Sequence, residues 1–244
     1  MVPASDAPIL DPVAAYDRFA PRYVSYAASR VYYLRKIEDI VVSECRKGAF
    51  LLDIGSGDGS RALRIAGAIN AQRVVLLEPS TAMQAQCTVA GAQFLTCRAA
   101  ELQQAGGEFD VITCLWNVLG HLHPLEERCQ ALLRMKHLLR PGGAIFLDVN
   151  HRYNAAAYGW TKTALRILYD IAFPAGIHGD VVVRWNAGEK SILTRGHVFT
   201  QSELARLFHA AGLKIMRRWI IDYDSGEERR WPFQGHLLYR LERP

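Results

Sequence analysis

The residues best suited to chemistry in this 244-residue chain form a short run of acids and glycines, Asp53-Ile54-Gly55-Ser56-Gly57-Asp58-Gly59. The run follows an apolar stretch and precedes one of helical periodicity, where a backbone turns sharply and lets a ligand come close. Its two carboxylates narrow the ligand. Asp53 and Asp58 would repel a pyrophosphate, and Ser60 stands where a dinucleotide fingerprint has its third glycine. A nucleotide-like ligand that is cationic and free of phosphate suits the loop better. Glu78, about 20 residues past the loop, ends the next apolar run, where a carboxylate can accept both ribose hydroxyls. A plain solvated carboxylate at a strand end is the alternative.

A second group follows the fourth apolar run: Leu115-Trp116-Asn117-Val118-Leu119-Gly120-His121. In open parallel sheets ligands sit beyond the carboxyl ends of the strands, so these residues are expected at a site. Asn117 can orient an acceptor through its amide. His121 can serve as a general base, because imidazole titrates near neutrality, or it can simply pack beside the following helix. His151, Tyr153 and Asn154 follow the fifth run on the same edge and are candidate substrate contacts, an ordinary connection being the alternative. Asp110, at the start of its run, reads as structural. No metal is expected, since His121 and His123 lack carboxylate or cysteine partners at ligand spacing.

The elements that position these residues alternate. From 13 to about 46, apolar and aromatic residues recur at helical spacing and predict two helices. Short runs, apolar throughout, then predict strands at Ala49 to Ile54, Arg73 to Leu77, Gln93 to Cys97, Asp110 to Leu115 and Ala144 to Val149. Helical stretches fall between them, about Ser60 to Asn70, Ser80 to Gly91 and Leu125 to Leu139, the last stopped by Pro141-Gly142-Gly143. This order predicts an α/β fold with a parallel sheet covered by helices on both faces. After 150 come a loop and helix from His151 to Ile177, and then two strands, Val181 to Trp185 and Ser191 to Phe199, joined by a turn at Asn186-Ala187-Gly188. Thr200-Gln201-Ser202-Glu203 is a capping box opening a helix to Ala211, and Leu213 to Tyr223 with Gly235 to Leu241 forms a final antiparallel pair.

Lys and Arg outnumber Asp and Glu by 29 to 24, an excess spread along the chain, so nucleic acid is not indicated. Five cysteines without a CxxC pair suggest neither disulfides nor zinc and fit a reduced cytoplasm. Residues 1–12 have no basic segment leading into an apolar one, and no apolar run is long enough to cross a membrane, so neither export nor membrane insertion is expected.

With these residues in view, the chain resembles the class I S-adenosylmethionine-dependent methyltransferases of small-molecule type. Leu52 to Gly59 resembles their first motif, and Leu77-Glu78-Pro79-Ser80 their ribose-binding strand end. Phe109 to Leu115 resembles the fourth strand, and Leu138-Leu139-Arg140-Pro141-Gly142-Gly143 the turn into the fifth. Ala15 to Tyr23 resembles the Tyr-Asp segment that covers the cofactor, through Tyr16 and Tyr23, although an aromatic helix face packed on the sheet would look the same.

The resemblance implies a Rossmann-like doubly wound sheet, mostly parallel with a C-terminal antiparallel hairpin. It implies one domain: a helical cap (13–46), a cofactor-binding core (47–150), an inserted substrate lid (151–199), and a C-terminal helix and hairpin (200–244). The implied cofactor is S-adenosylmethionine, whose sulfonium and ammonium match the acidic loop. Asp53, Gly55, Ser56, Gly57, Gly59, Glu78 and Pro79 would hold it, with Leu115, Trp116, Tyr16 and Tyr23 around it. The family's Asp-Ala pair at the adenine reads Arg98-Ala99 here, so Ala99, Ala100 and a substitute acid, Glu101, take that place. The expected activity is in-line methyl transfer to a small-molecule acceptor at nitrogen or oxygen. An RNA- or protein-modifying enzyme and a non-catalytic adenosyl-ligand-binding subunit are the alternatives.

Overall fold

The computed structural model describes residues 8–89, 93–102, 108–174, 176–187 and 190–244. A short strand β1 (Ile9–Leu10) leads into helices α1 (Pro12–Ala28) and α2 (Val31–Glu44). Then follow β2 (Phe50–Ile54), α3 (Ser60–Ala68), β3 (Arg73–Leu77), α4 (Thr81–Gln84), β4 (Phe94–Leu95), β5 (Phe109–Cys114), α5 (Val118–His121), α6 (Leu125–Leu138) and β6 (Leu139–Val149). The remainder comprises α7 (Ala155–Tyr158), α8 (Trp160–Ala172), β7 (Asp180–Ala187), β8 (Lys190–His197), α9 (Gln201–Ala210), β9 (Lys214–Ile221) and β10 (His236–Glu242).

The main sheet has seven strands in the order β4-β3-β2-β5-β6-β10-β9. Its first five are parallel, and β10 runs antiparallel to both β6 and β9. This is a Rossmann-like doubly wound fold with an antiparallel C-terminal hairpin, as the alternation of elements implies. The strand order reverses between β2 and β5, which opens a crevice above their carboxyl ends.

The strands are apolar throughout because successive side chains feed opposite cores. Leu51, Val111 and Phe146 join Ile37, Val41 and Ile65 of α2 and α3 on one face. Leu52, Ile112, Ile145 and Leu147 join Leu132 and Met135 of α6 and Leu204 and Phe208 of α9 on the other. Each such buried side chain contributes about 1.5–3 kcal/mol.

A separate three-stranded sheet, β1-β8-β7, carries a small core of its own in which Ala15 and Phe19 of α1 meet Trp185 and Ile192. This pairing holds α1 against the β7–β8 hairpin.

Four details depart from the sequence expectations. The helix expected from Ser80 to Gly91 is a single turn, Thr81–Gln84: the Gln84 side chain donates back to Glu78 O (2.6 Å) and Thr96 Oγ1 (2.9 Å), the chain leaves in tight turns, and Ala90 and Gly91 lie outside the described residues. The strand expected from Gln93 to Cys97 shortens to Phe94–Leu95 on the sheet edge, where β3 is its only neighbour among the described residues. Pro141-Gly142-Gly143 lies inside β6 and does not end α6, which already stops at Leu138. Pairing slips there between Phe109–Leu139 and Val111–Ala144, helped by Gly142 at φ +76 and by Gly143, where a Cβ would lie 2.8 Å from Asp110 O. Asn186 and Ala187 are still paired in the hairpin, and Gly188 lies outside the described residues. The Thr200–Glu203 capping box forms as expected.

Among the described residues no helix is long and apolar enough to cross a membrane.

Asp110 is structural in geometry. It accepts from Arg46 (2.6 Å), Phe50 N (2.8 Å) and Arg140 (3.1 Å), tying the start of β5 to β2 and to the slipped segment of β6. Burial alone would raise its pKa, but the Phe50 amide and the two guanidinium groups outweigh burial and hold the carboxyl below its usual range. Asp110→Ala should therefore lower the unfolding free energy by about 1–3 kcal/mol at neutral pH. The deficit should shrink as the pH falls through the depressed folded pKa, where the native carboxylate is protonated as well. Urea unfolding of both proteins across that range measures it.

Candidate active site

The glycine loop has the backbone that its composition demands. Gly55, Gly57 and Gly59 sit at φ +69, +60 and +75, a region L side chains rarely enter. Packing excludes a side chain as well: a Cβ on Gly55 would lie 2.4 Å from Val118, and one on Gly57 would lie 2.9 Å from the Tyr23 hydroxyl. The loop is fastened to the end of β3, because Gly55 N and Ser56 N donate to Leu77 O at 2.8 and 3.0 Å. Glu78 completes the junction by accepting from Gly57 N and Ser80 N, each at 2.9 Å. Asp58 accepts from Ser60 N and Oγ at the start of α3, so it serves that helix.

Beneath the loop lies a buried charge cluster. Asp53 accepts from Thr113 Oγ1 (2.5 Å), while its Oδ2 is buried without a protein partner. Asp148, on β6, accepts from Tyr33 OH (2.7 Å) and from Trp116 N. Burial pushes both carboxyls up, and the Arg61 guanidinium pulls both back. Arg61 is itself buried. Desolvation lowers its pKa, but Asp53, Tyr23, Asp148 and Glu38 outweigh that and leave it raised and charged. It donates to Leu115 O (3.3 Å), and its Nε has no protein partner.

Above the cluster two cavities adjoin. The first, of about 730 Å³, is bounded by Gly55 and Gly57, Glu78 and Pro79, Ala99 and Arg61. Pro12, Val13, Leu77, Val118 and Leu122 add apolar wall. The second, of about 480 Å³, is walled by rings of α1 and by Val183 and Trp185 of the hairpin. Tyr16, Tyr23, Trp116 and His121 line both and mark their junction. Trp116 and Asn117 turn the chain there in left-handed conformations (φ +67 and +60), strained for a tryptophan and held by the bonds to Asp148 and Asn150.

Of the residues singled out in the sequence, Gly55, Gly57, Glu78, Pro79, Ala99, Leu115, Trp116, Tyr16, Tyr23 and His121 line the first cavity. Asp53, Ser56 and Gly59 support its floor without lining it. Ala100 and Glu101 do not line it either: Glu101 accepts from Arg98 N (3.1 Å) and closes a helical turn. Arg98 reaches the cavity, yet its charge pairs with Asp11 (2.7 Å), the N-cap of α1, and with Glu127 on α6 (3.5 Å).

Asn117 lines the second cavity with both amide atoms engaged. Its Oδ1 accepts from Asn150 N (2.9 Å), and its Nδ2 reaches His197 O (3.5 Å). His151, Tyr153 and Asn154 line neither cavity, because the chain turns away after β6 to bridge Phe199. His151 donates from Nδ1 to Pro232 O, Asn154 caps α7, and Tyr153 donates to Asp170 (2.8 Å).

The sequence reading missed Arg61, Phe19, Tyr26 and Trp185. Signals for three of them were present. Tyr16, Phe19, Tyr23 and Tyr26 follow one another at helical spacing, and Val183 and Trp185 alternate with an exposed Val182.

Comparison with known proteins fits this geometry. A family model described as a methyltransferase domain matches residues 22–217, and the chain belongs to that family, the S-adenosylmethionine-dependent methyltransferases of Rossmann-like class I fold. No curated protein sequence matches it. Among solved structures it is similar to the CcbJ methyltransferase of Streptomyces caelestis, with TM-score 0.68 and 14% identity over 94% of this chain and 97% of that one. It is also similar to an S-adenosylmethionine-dependent methyltransferase of Clostridium acetobutylicum, with TM-score 0.65 and 12% identity over 93% and 98%. A third is the 1,6-didemethyltoxoflavin-N1-methyltransferase of Burkholderia thailandensis, with TM-score 0.58 and 19% identity over 98% and 93%.

Glu78 provides a pH test of this site. Burial, with Asp53 and Asp17 adding, pushes its carboxyl up from 4.5 to about 7 against the two amide donors. The folded chain thus binds this proton more tightly than the unfolded chain. The associated stability is complete below pH 4.5 and is lost as the pH rises to about 7. Glu78→Gln, which cannot ionise, should gain on the wild type over that interval, by about 3 kcal/mol at most, and run parallel to it above. Urea unfolding at several pH values would show it.

Proposed function

We propose that the first cavity holds S-adenosylmethionine and that the acceptor is a small molecule received in the second. The observation that carries this reading is the junction: two adjoining cavities share Tyr16, Tyr23, Trp116 and His121, so a group bound in one faces the other across four side chains. When bound, the cofactor supplies a methyl group already activated on a sulfonium, so the protein's task is alignment and exclusion of water.

The residues present fit that cofactor. Glu78 keeps spare acceptor capacity for a ribose diol beside its two amide bonds. Arg61 offers a guanidinium with a free Nε to a carboxylate, and the buried Asp53 keeps the local field favourable to positive groups. Gly55 and Gly57 line the cavity with bare backbone, which a ligand can approach closely. Ala99, Pro79, Val118 and Leu122 form an apolar slot suited to a flat base. The β7–β8 hairpin acts as the part of the 151–199 insertion that covers the acceptor.

The lining of the second cavity favours a metabolite over a macromolecule. Among the described residues no lysine or arginine lines it to meet a phosphate. Of the surface arginines, Arg217 pairs with Glu44 (2.6 Å) and Arg229 with Glu227 (2.8 Å).

Calorimetric titration with S-adenosylhomocysteine tests the cofactor site. Glu78→Ala and Gly57→Val should each weaken binding about tenfold or more with an unchanged circular dichroism spectrum, and full affinity in both would overturn the assignment. Incubation with methyl-labelled cofactor and a cell extract should place the label in the small-molecule fraction. Label confined to RNA or protein would overturn the acceptor class.

A further inference from the structure

The second cavity carries information about its occupant, given the assignment of the first to the cofactor. No charged side chain lines it among the described residues. Its walls are two stacked ring pairs: Tyr26 on Trp116, with centroids 5.4 Å apart and planes at 13°, and Phe19 on Trp185, at 4.6 Å and 20°. A carboxylate or phosphate entering here would shed its water and meet no cation. A flat, uncharged ring would find faces and edges to stack against.

His121 adds a directional polar group at the junction. Tyr16 meets it edge-on at 5.4 Å, and Trp185 lies 6.1 Å away. Its Nδ1 lies 3.3 Å from Arg195 O, and a carbonyl can only accept, so Nδ1 carries the hydrogen and Nε2 presents a bare lone pair. No protein group among the described residues bonds to that Nε2. Desolvation draws the imidazole down to about 4, so it is neutral at physiological pH and ready to accept.

We propose that the acceptor is an uncharged planar aromatic compound bearing a hydroxyl, stacked within this aromatic cavity with its O–H directed at His121 Nε2. An alkylammonium has no free lone pair for attack, and so weak a base would not take its proton. A neutral hydroxyl keeps a lone pair while still protonated. As that lone pair forms the bond to the methyl carbon, the carbon–sulfur pair leaves with the sulfur. The O–H pair stays on the acceptor oxygen, and the proton, by then strongly acidic, passes to Nε2 and on to water.

Binding to the intact chain with S-adenosylhomocysteine present tests this without turnover. The probes are 2-naphthol, 2-methoxynaphthalene, 2-naphthoate and cyclohexylamine, followed by tryptophan fluorescence and calorimetry. We expect 2-naphthol to bind about tenfold or more tighter than the other three. His121→Phe should erase its advantage over 2-methoxynaphthalene. Trp185→Leu should weaken 2-naphthol about tenfold, and Trp185→Phe should restore much of that, while both keep wild-type affinity for S-adenosylhomocysteine. That retained affinity separates this proposal from the cofactor assignment, which fails if the wild type does not bind S-adenosylhomocysteine or if Glu78→Ala and Gly57→Val both bind it with full affinity. The proposal is overturned if the wild type binds S-adenosylhomocysteine but no naphthol, if naphthoate or cyclohexylamine binds as tightly, or if the His121 variant still discriminates.

Discussion

The site depends on one buried cation. Arg61 emerges from the first turn of α3 and lies in the field of two buried carboxylates, Asp53 on β2 and Asp148 on β6, while donating to the carbonyl that ends the β5 segment. Three strands thereby share one counter-charge at their carboxyl ends. Buried ions are costly unless paired, so the pairing restricts how those ends can be placed. Asp148 passes the constraint on, holding Trp116 N and Tyr33 OH, and so fixes the strained turn from which the junction residues project. The cluster leaves Asp53 Oδ2 and Arg61 Nε without protein partners, and Arg61 lines the first cavity.

Helix α1 is the second organising element. Its start is held by the Arg98–Asp11 pair and its first turns by Ser80 Oγ donating to Asp17 (2.6 Å), so it is fixed against the first cavity. Its aromatic face then serves both cavities: Tyr16 and Tyr23 line the first, and Phe19 and Tyr26 pack toward Trp185 and Trp116. Arg98 illustrates how a departure from a family pattern acquires a different task. Where the family pattern has an acid, the chain has a cation that tethers the start of α1 to α6 by pairing with Asp11 and Glu127.

Much of this was legible locally. The glycine positions, the acids at 53 and 78, the alternating strands and helices, and the capping box at Thr200 are set by contacts between near neighbours or by periodicities of two and 3.6 residues. Boundaries failed where long-range contacts intervened. Helix α4 stops at Gln84, whose side chain donates back to Glu78 and Thr96, and the Pro141 segment joins β6 because Asp110 and the neighbouring strand hold it there.

The sequence alone determined the fold class and the glycine loop, because each rests on residue type and spacing within a few turns of chain. Only the tertiary structure decided which side chains form the site. His151, Tyr153 and Asn154 sit at the expected strand end, but the chain turns away there and their polar atoms are consumed by Pro232, Asp170 and α7. Trp185, more than 160 residues from Phe19 in the chain, stacks on it and builds the wall of the second cavity. Whether a buried polar group is free for chemistry depends on what the rest of the chain brings against it. Spacing within a motif does not encode that.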